Sequence, residues 1–231
     1  MTEQAKRNKK LRQERNSNHF LEATVRLLEE KGMPDVTIRN IADEAGYSSG
    51  SIYKYFDNVE QLVAFAAIRC MHPFLQELSA LDPNEGSLEK YFHLIYVSTR
   101  HALLHTNVFR AVMISRSIEP GPHFESYYAL YPGERVDLPQ DIFASFFAPT
   151  FSVRTDLLLE QCAAQGLLAV DDIREIVDFT NMLFEGFLYK SPTNSERYNA
   201  GYFIQMVKRV FLFFQPNLAD RIEKIQEKLE A

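Results

Sequence analysis

The chain has 231 residues, 46% hydrophobic and 24% charged, an ordinary balance for a soluble globular protein with a substantial core. No apolar core follows its basic N-terminus, so no secretory signal is expected. The longest nearly uncharged stretch, IFASFFAPTFSV, is too short to span a bilayer, so a cytosolic protein is expected. The net charge of −6 is uneven: +4 over residues 1–15, −4 over 16–60 and −6 over the remainder. A basic arm on an acidic chain fits one end meeting a polyanion, and fits a solvated terminus equally well.

The first fifteen residues read as a basic flexible arm. From Asn18 to Lys31 the residues Phe20, Ala23, Leu27 and Leu28 recur at helical spacing, and Gly32 stands where a helix would end. Thr37 can cap a short helix through Glu44 that turns Ile38, Ile41, Ala42 and Ala45 inward. Gly46 then supplies a turn, and Ser48 can cap a third helix reaching Tyr55. Asn58 is a cap for a fourth helix through Leu62, Val63, Ala66 and Cys70.

Beyond His72-Pro73 a helix is expected over Ser87–His105, with Leu88, Phe92, Ile95 and Ala102 on one stripe. Residues 119–139, rich in proline and aromatic side chains, read as a long ordered loop. Asp141–Ala164 is helical again, and Gly166 breaks it. Helices around 172–190 and 196–214 are apolar over more than half their circumference. Such helices need two partners, either both within one large domain or one across a homodimer, where Gly186 and Gly201 allow close approach. Leu218, Ile222, Ile225 and Leu229 form a narrow stripe on a charged terminal helix.

Residues 37–55 have the anatomy of a helix-turn-helix: Ala42 where two helices cross, Gly46 in the turn, and Ile52 and Phe56 as anchors of the second helix. A plain two-helix packing pair meets the same demands. The outward face adds to the case, because Ser48, Ser49, Ser51, Tyr53 and Lys54 give hydroxyls, a phenol and a cation. No carboxylate follows until Asp57. Short side chains, with Gly50 removing further bulk, let a helix sit deep in a major groove, and its amides can bind phosphate.

The segment TIRNIADEAGYSSGSIYKYFDNVEQL closely resembles the DNA-binding signature of the TetR family of bacterial transcription regulators. The match covers about Phe20 to Leu62. The resemblance implies an all-α chain: a three-helix, helix-turn-helix DNA-binding domain at 16–62, then a larger ligand-binding and dimerisation domain at 63–231. It implies a homodimer on a palindromic operator, with a small-molecule effector shifting the dimer between competent and incompetent states. Carried over by position, Thr37 and Arg39 contact the backbone or groove edge. Ser49, Ser51, Tyr53 and Lys54 read bases or phosphates, and Ser48 and Tyr55 serve as cap and phosphate contact. The chain departs from the family in two places. Val59 stands where a phosphate-binding lysine is common, and Ser49 replaces a frequent basic residue. The basic arm could compensate by lying in the minor groove.

Tyr96, Phe109, Met113, Phe147, Phe151 and Phe184 are candidates for a ligand pocket, and equally for a plain core. Their aromatic character favours an apolar or aromatic effector. Arg100 is a candidate counter-ion for an acidic one. His101 and His105 stand four apart, with His93 two turns earlier, but no carboxylate completes an H-E-x-x-H motif, so no metal is expected. Cys70 and Cys162 lack metal or redox spacing and read as reduced, partly buried thiols. No nucleophile–base motif, phosphate loop or cofactor signature appears, so an enzyme is not expected. An interaction protein that keeps the helix-turn-helix but binds operator weakly is the alternative.

Overall fold

The computed structural model describes residues 3–115, 117–140, 142–143, 151–193 and 196–230, with backbone alone at 3–14, 151–156, 193 and 230. Among these residues the protein is all-α, built of helices and helical turns without strands. Among the described residues no helix is long and apolar enough to cross a membrane. Two compact units divide the chain: unit 1 is 1–73 with 105–135, and unit 2 is 74–104 with 136–231.

Unit 1 contains α1 (Glu3–Glu30), α2 (Ile38–Ala45), a 3-10 helix at Ser49–Lys54 and α3 (Val59–Cys70). α1 packs on both α2 and α3, burying Phe20, Leu21, Ala23, Leu27 and Leu28 against Ile41, Ala42, Ile52, Leu62 and Phe65. Local chemistry sets the boundaries. Thr37 accepts from the amide of Asn40 (3.2 Å), and Asn58 accepts from that of Gln61 (2.7 Å), so both expected caps are made. Gly46 ends α2 at φ 75°, ψ 32°, a left-handed conformation that a side chain would strain.

One expectation is corrected here and one is refined. The basic residues from Glu3 onward continue α1 as helix instead of forming a flexible arm. Ala5, Lys6, Lys9, Lys10, Leu11 and Arg12 are good helix formers, and no glycine or proline interrupts them. The third helix, expected to reach about Tyr55, is a six-residue 3-10 helix ending at Lys54. It is closed by Ser51 N–H to Ser48 O and Tyr55 N–H to Ile52 O, each 2.9 Å. Serine hydroxyls compete for backbone groups and Gly50 resists helix, so a short tight turn suffices.

The rest of unit 1 is α6 (Thr106–Phe109), a π-helical turn at Arg110–Ile114 and α7 (Phe124–Leu130). The segment expected as a loop thus holds a two-turn helix between 3-10 turns at Gly121–His123 and Pro132–Glu134. Phe124, Tyr127 and Tyr128 are buried on it, and it packs against α3.

Unit 2 holds α4 (His72–Ser79) from Phe74 onward, α5 (Ser87–Leu104), α8 (Phe151–Ala164), α9 (Val170–Lys190), α10 (Ala200–Phe214) and α11 (Ala219–Glu230). α5 is the hub, touching α8, α9, α10 and α11. Its buried Tyr91 and Phe92 meet Phe211 of α10 with ring centroids 5.3 and 5.0 Å apart. α9 has two opposite faces. Ile173, Ile176, Val177, Thr180, Phe184, Phe187 and Leu188 are buried, while Phe179, Met182, Gly186 and Tyr189 form an exposed stripe. Phe213 of α10 is 80% exposed. α11 is held by apolar Ile222 and Ile225 and by Arg221, which donates twice to Glu89 at 2.8 Å.

Candidate nucleic-acid interface

The surface that could read DNA is built from three local devices. The Thr37 cap and the Gly46 turn fix α2 and the direction in which the chain leaves it. Ile52 and Phe56, both buried, anchor the following 3-10 helix from below. What remains outward is Ser48, Gly50, Tyr53 and Lys54, all exposed, with Ser49, Ser51 and Tyr55 half-buried. Tyr53 is 55% exposed, a rigid aromatic standing out of the surface. A Cβ added at Gly50 would meet no atom within 4 Å, so its lack of bulk is unused inside the chain.

Each expected contact has a definite place. Ser48 does not cap the helix with its side chain; its hydroxyl pairs with that of Ser51 at 2.9 Å. The Tyr55 hydroxyl accepts from the Asn16 side chain (2.8 Å) and its ring lies 5.9 Å from Phe20. It therefore ties segment 48–56 to α1, while a phenol that accepts still carries a proton to donate. Tyr47 donates to the other end of the same Asn16 amide at 3.3 Å. Asn16 thus joins two positions of the signature, a role carried by contacts 31 and 39 residues apart and invisible to local pattern.

Part of the charge on this stretch is paired within the chain. Arg26 pairs with Glu44 at 2.9 Å and Arg39 with Asp43 at 3.8 Å, on the surface in both cases. The Asp57 carboxylate accepts from Gln61 at 3.1 Å. Arg39 is therefore shared with a carboxylate. The minor-groove contact is an expectation for an extended arm, whereas residues 3–15 continue α1 as helix. An α-helix is about 10 Å across with side chains, too wide for a minor groove of about 6 Å. Residues 3–15, as helix, can follow phosphates but not fill that groove.

The candidate ligand residues are divided between the two units. Tyr96 and Arg100 share a cleft of about 200 Å³ in unit 2 with the charged Glu77, Glu85, Glu89 and Lys228 and the apolar Ile225 and Leu229, a space of mixed character. Arg100 pairs with Glu77. Phe109 and Met113 are buried in unit 1, and Phe184 packs in unit 2 with its ring 5.8 Å from Phe203. Phe147 lies outside the described residues, as does the side chain of Phe151. His93, His101 and His105 each face a different glutamate: Glu85 (3.4 Å), Glu77 (2.9 Å) and Glu29 (2.9 Å). Among the described residues no group of three or more metal-ligating side chains forms. Burial pushes the Cys70 and Cys162 thiols up to about 12, which keeps them protonated and unreactive.

Residues 20–65 match the family model described as bacterial regulatory proteins, tetR family. The HTH-type transcriptional regulator PksA of Bacillus subtilis (strain 168) is 41% identical over 58 residues, 25% of this chain and 28% of PksA. The match thus spans little more than a quarter of that curated relative. Among solved structures, a gamma-butyrolactone receptor (ArpA-like protein) superposes with a TM-score of 0.54 at 18% identity, covering 95% of this chain and 98% of that one. A putative tetR family transcription regulator from Shewanella sp. PV-4 gives 0.52 at 16% identity, covering 87% and 97%. At such identities these structures speak for the fold, while the N-terminal matches speak for the helix-turn-helix. Together they assign the N-terminal segment: residues 20–65 match the domain described as bacterial regulatory proteins, tetR family, and the chain shares the fold of the solved structures.

Proposed function

We propose that this protein is a ligand-responsive transcriptional repressor that binds a palindromic operator as a homodimer and is released by a small apolar or aromatic effector. Residues 16–62 read DNA, and 63–231 carry effector binding and dimerisation. The observation that carries this reading is the carboxylate-free segment Ser48–Phe56, with Tyr53 and Lys54 exposed above buried Ile52 and Phe56. A hydroxyl-rich, slim element with a free aromatic and a cation suits a major groove. The exposed stripe Phe179, Met182, Gly186 and Tyr189 supports the dimer, because exposed large apolar side chains aligned on one helix face suit an interface. A Cβ on Gly186 would meet nothing within 4 Å, leaving room for a second helix. That a gamma-butyrolactone receptor shares the architecture agrees with a small organic effector.

Nuclease footprinting on the DNA upstream of its own gene tests the proposal. A protected region with two symmetric halves about one helical turn apart is expected. Protection of a single half, or none at any salt concentration, counts against the dimeric repressor. The latter result favours the interaction-protein reading, which Val59 and the Arg39–Asp43 pair would explain.

A further inference from the structure

Between Leu62 and Cys70, α3 is apolar except for Arg69. Its guanidinium gathers three segments of unit 1. Nε donates to the Tyr127 hydroxyl at 3.2 Å, Nη2 to Glu134 Oε1 at 2.8 Å and Nη1 to Asn18 Oδ1 at 3.4 Å. The same group lies 4.5 Å over the Tyr131 ring, and the Tyr127 hydroxyl donates to the second oxygen of Glu134. Burial alone would lower the pKa of Arg69, yet its bonds to Tyr127 and Glu134 outweigh that and raise it.

Two routes lead from this cluster to the reading segment. Buried Tyr127 meets Phe65 edge-on at 5.4 Å, and Phe65 meets Phe56 edge-on at 6.0 Å, where the segment ends. On the other side Asn18 stands two residues from Asn16, which holds Tyr55 and Tyr47. A half-buried charge network is costly to leave partly satisfied, so it has few alternative arrangements and fixes what it touches.

We propose that Arg69, Tyr127 and Glu134 are positioning residues that hold segment 48–56 in its DNA-competent geometry, which makes residues 119–135 a working part of the reading head. This rests on the DNA-binding reading above. It goes beyond that reading by naming the contact through which residues 119–135 hold the segment in place.

Full-length Glu134→Gln and Tyr127→Phe test it, with Lys54→Ala as a control for direct phosphate contact. Fluorescence anisotropy on the upstream DNA gives affinity across salt concentrations, and amide hydrogen exchange reports the backbone. Both clamp variants should lose about tenfold in affinity. Their salt slope should match that of the wild type, while Lys54→Ala lowers it by about one unit. Exchange should quicken at residues 48–56 and stay unchanged in the core of α1. Unchanged affinity and exchange overturn the proposal, as does a uniform loss of protection across unit 1, which means a merely structural cluster. If the wild-type protein fails to bind DNA, the function reading fails, and exchange at 48–56 still decides whether the clamp orders the segment.

Discussion

Replacing Met182 by aspartate tests the proposed dimer at the centre of its exposed stripe. Met182 is 67% exposed in the single chain, so roughly 100 Å² of apolar surface per copy is available to a partner. Counting both copies at about 25 cal/mol per Å² gives about 5 kcal/mol of forfeited association energy, an upper figure if the contact is partial. A buried, unpaired carboxylate adds to the loss. The dimer dissociation constant should therefore rise by about three orders of magnitude or more, and the protein should sediment as a monomer at micromolar concentration. The fold of the single chain should hardly notice, because an exposed substitution typically changes stability by less than about 0.5 kcal/mol. Sedimentation velocity over a concentration series, beside a thermal melt by circular dichroism, reads both quantities. A variant that stays dimeric with an unchanged melt refutes the assignment of this α9 face to the interface.

Three further outcomes follow from individual contacts. Asp43→Asn frees Arg39 from a pair whose members are 88% and 71% exposed, so DNA affinity should rise by at most about fivefold in anisotropy. Gly46→Ala should cost about 1 kcal/mol or more in urea unfolding, because φ is 75° there. Gly50→Ala should leave folding unaffected, so any loss of DNA binding it causes reports close approach to the groove. The hydrogen bonds from Arg221 hold the Glu89 carboxyl below its usual 4.5. The stability this adds is present above that value and is lost as the pH falls through the lowered one. Glu89→Gln should therefore flatten the acid limb of the stability–pH profile; an unchanged limb contradicts the assignment.

What the sequence made legible is what local chemistry decides. Thr37, Gly46 and Asn58 act within four residues of themselves, and each does in the structure what its side chain or missing side chain requires. The same holds for the two faces of α9, since a 3.6-residue period is written directly in the order of residues. The 3-10 reading segment was harder, because two serines and a glycine within six residues leave α and 3-10 geometries close in energy. The helix at Phe124–Leu130 was masked by flanking prolines, although Phe124, Tyr127, Tyr128 and Tyr131 carry helical spacing. The Asn16 ties and the Arg69 cluster were out of reach. Their partners lie 31 to 65 residues away, and only the fold brings them together.

The central claim is that Ser48–Tyr55 grips DNA through a phosphate-rich, salt-sensitive interface. Anisotropy of the wild-type protein with its upstream DNA, repeated over a range of salt concentrations, tests it most directly. Binding in the nanomolar to micromolar range is expected, with log K falling linearly against log salt. Tyr53→Ala should weaken the complex, and removing residues 2–15 should make the slope shallower by up to about one unit for each phosphate that the helix neutralises. A complex insensitive to salt and to both changes would contradict the claim.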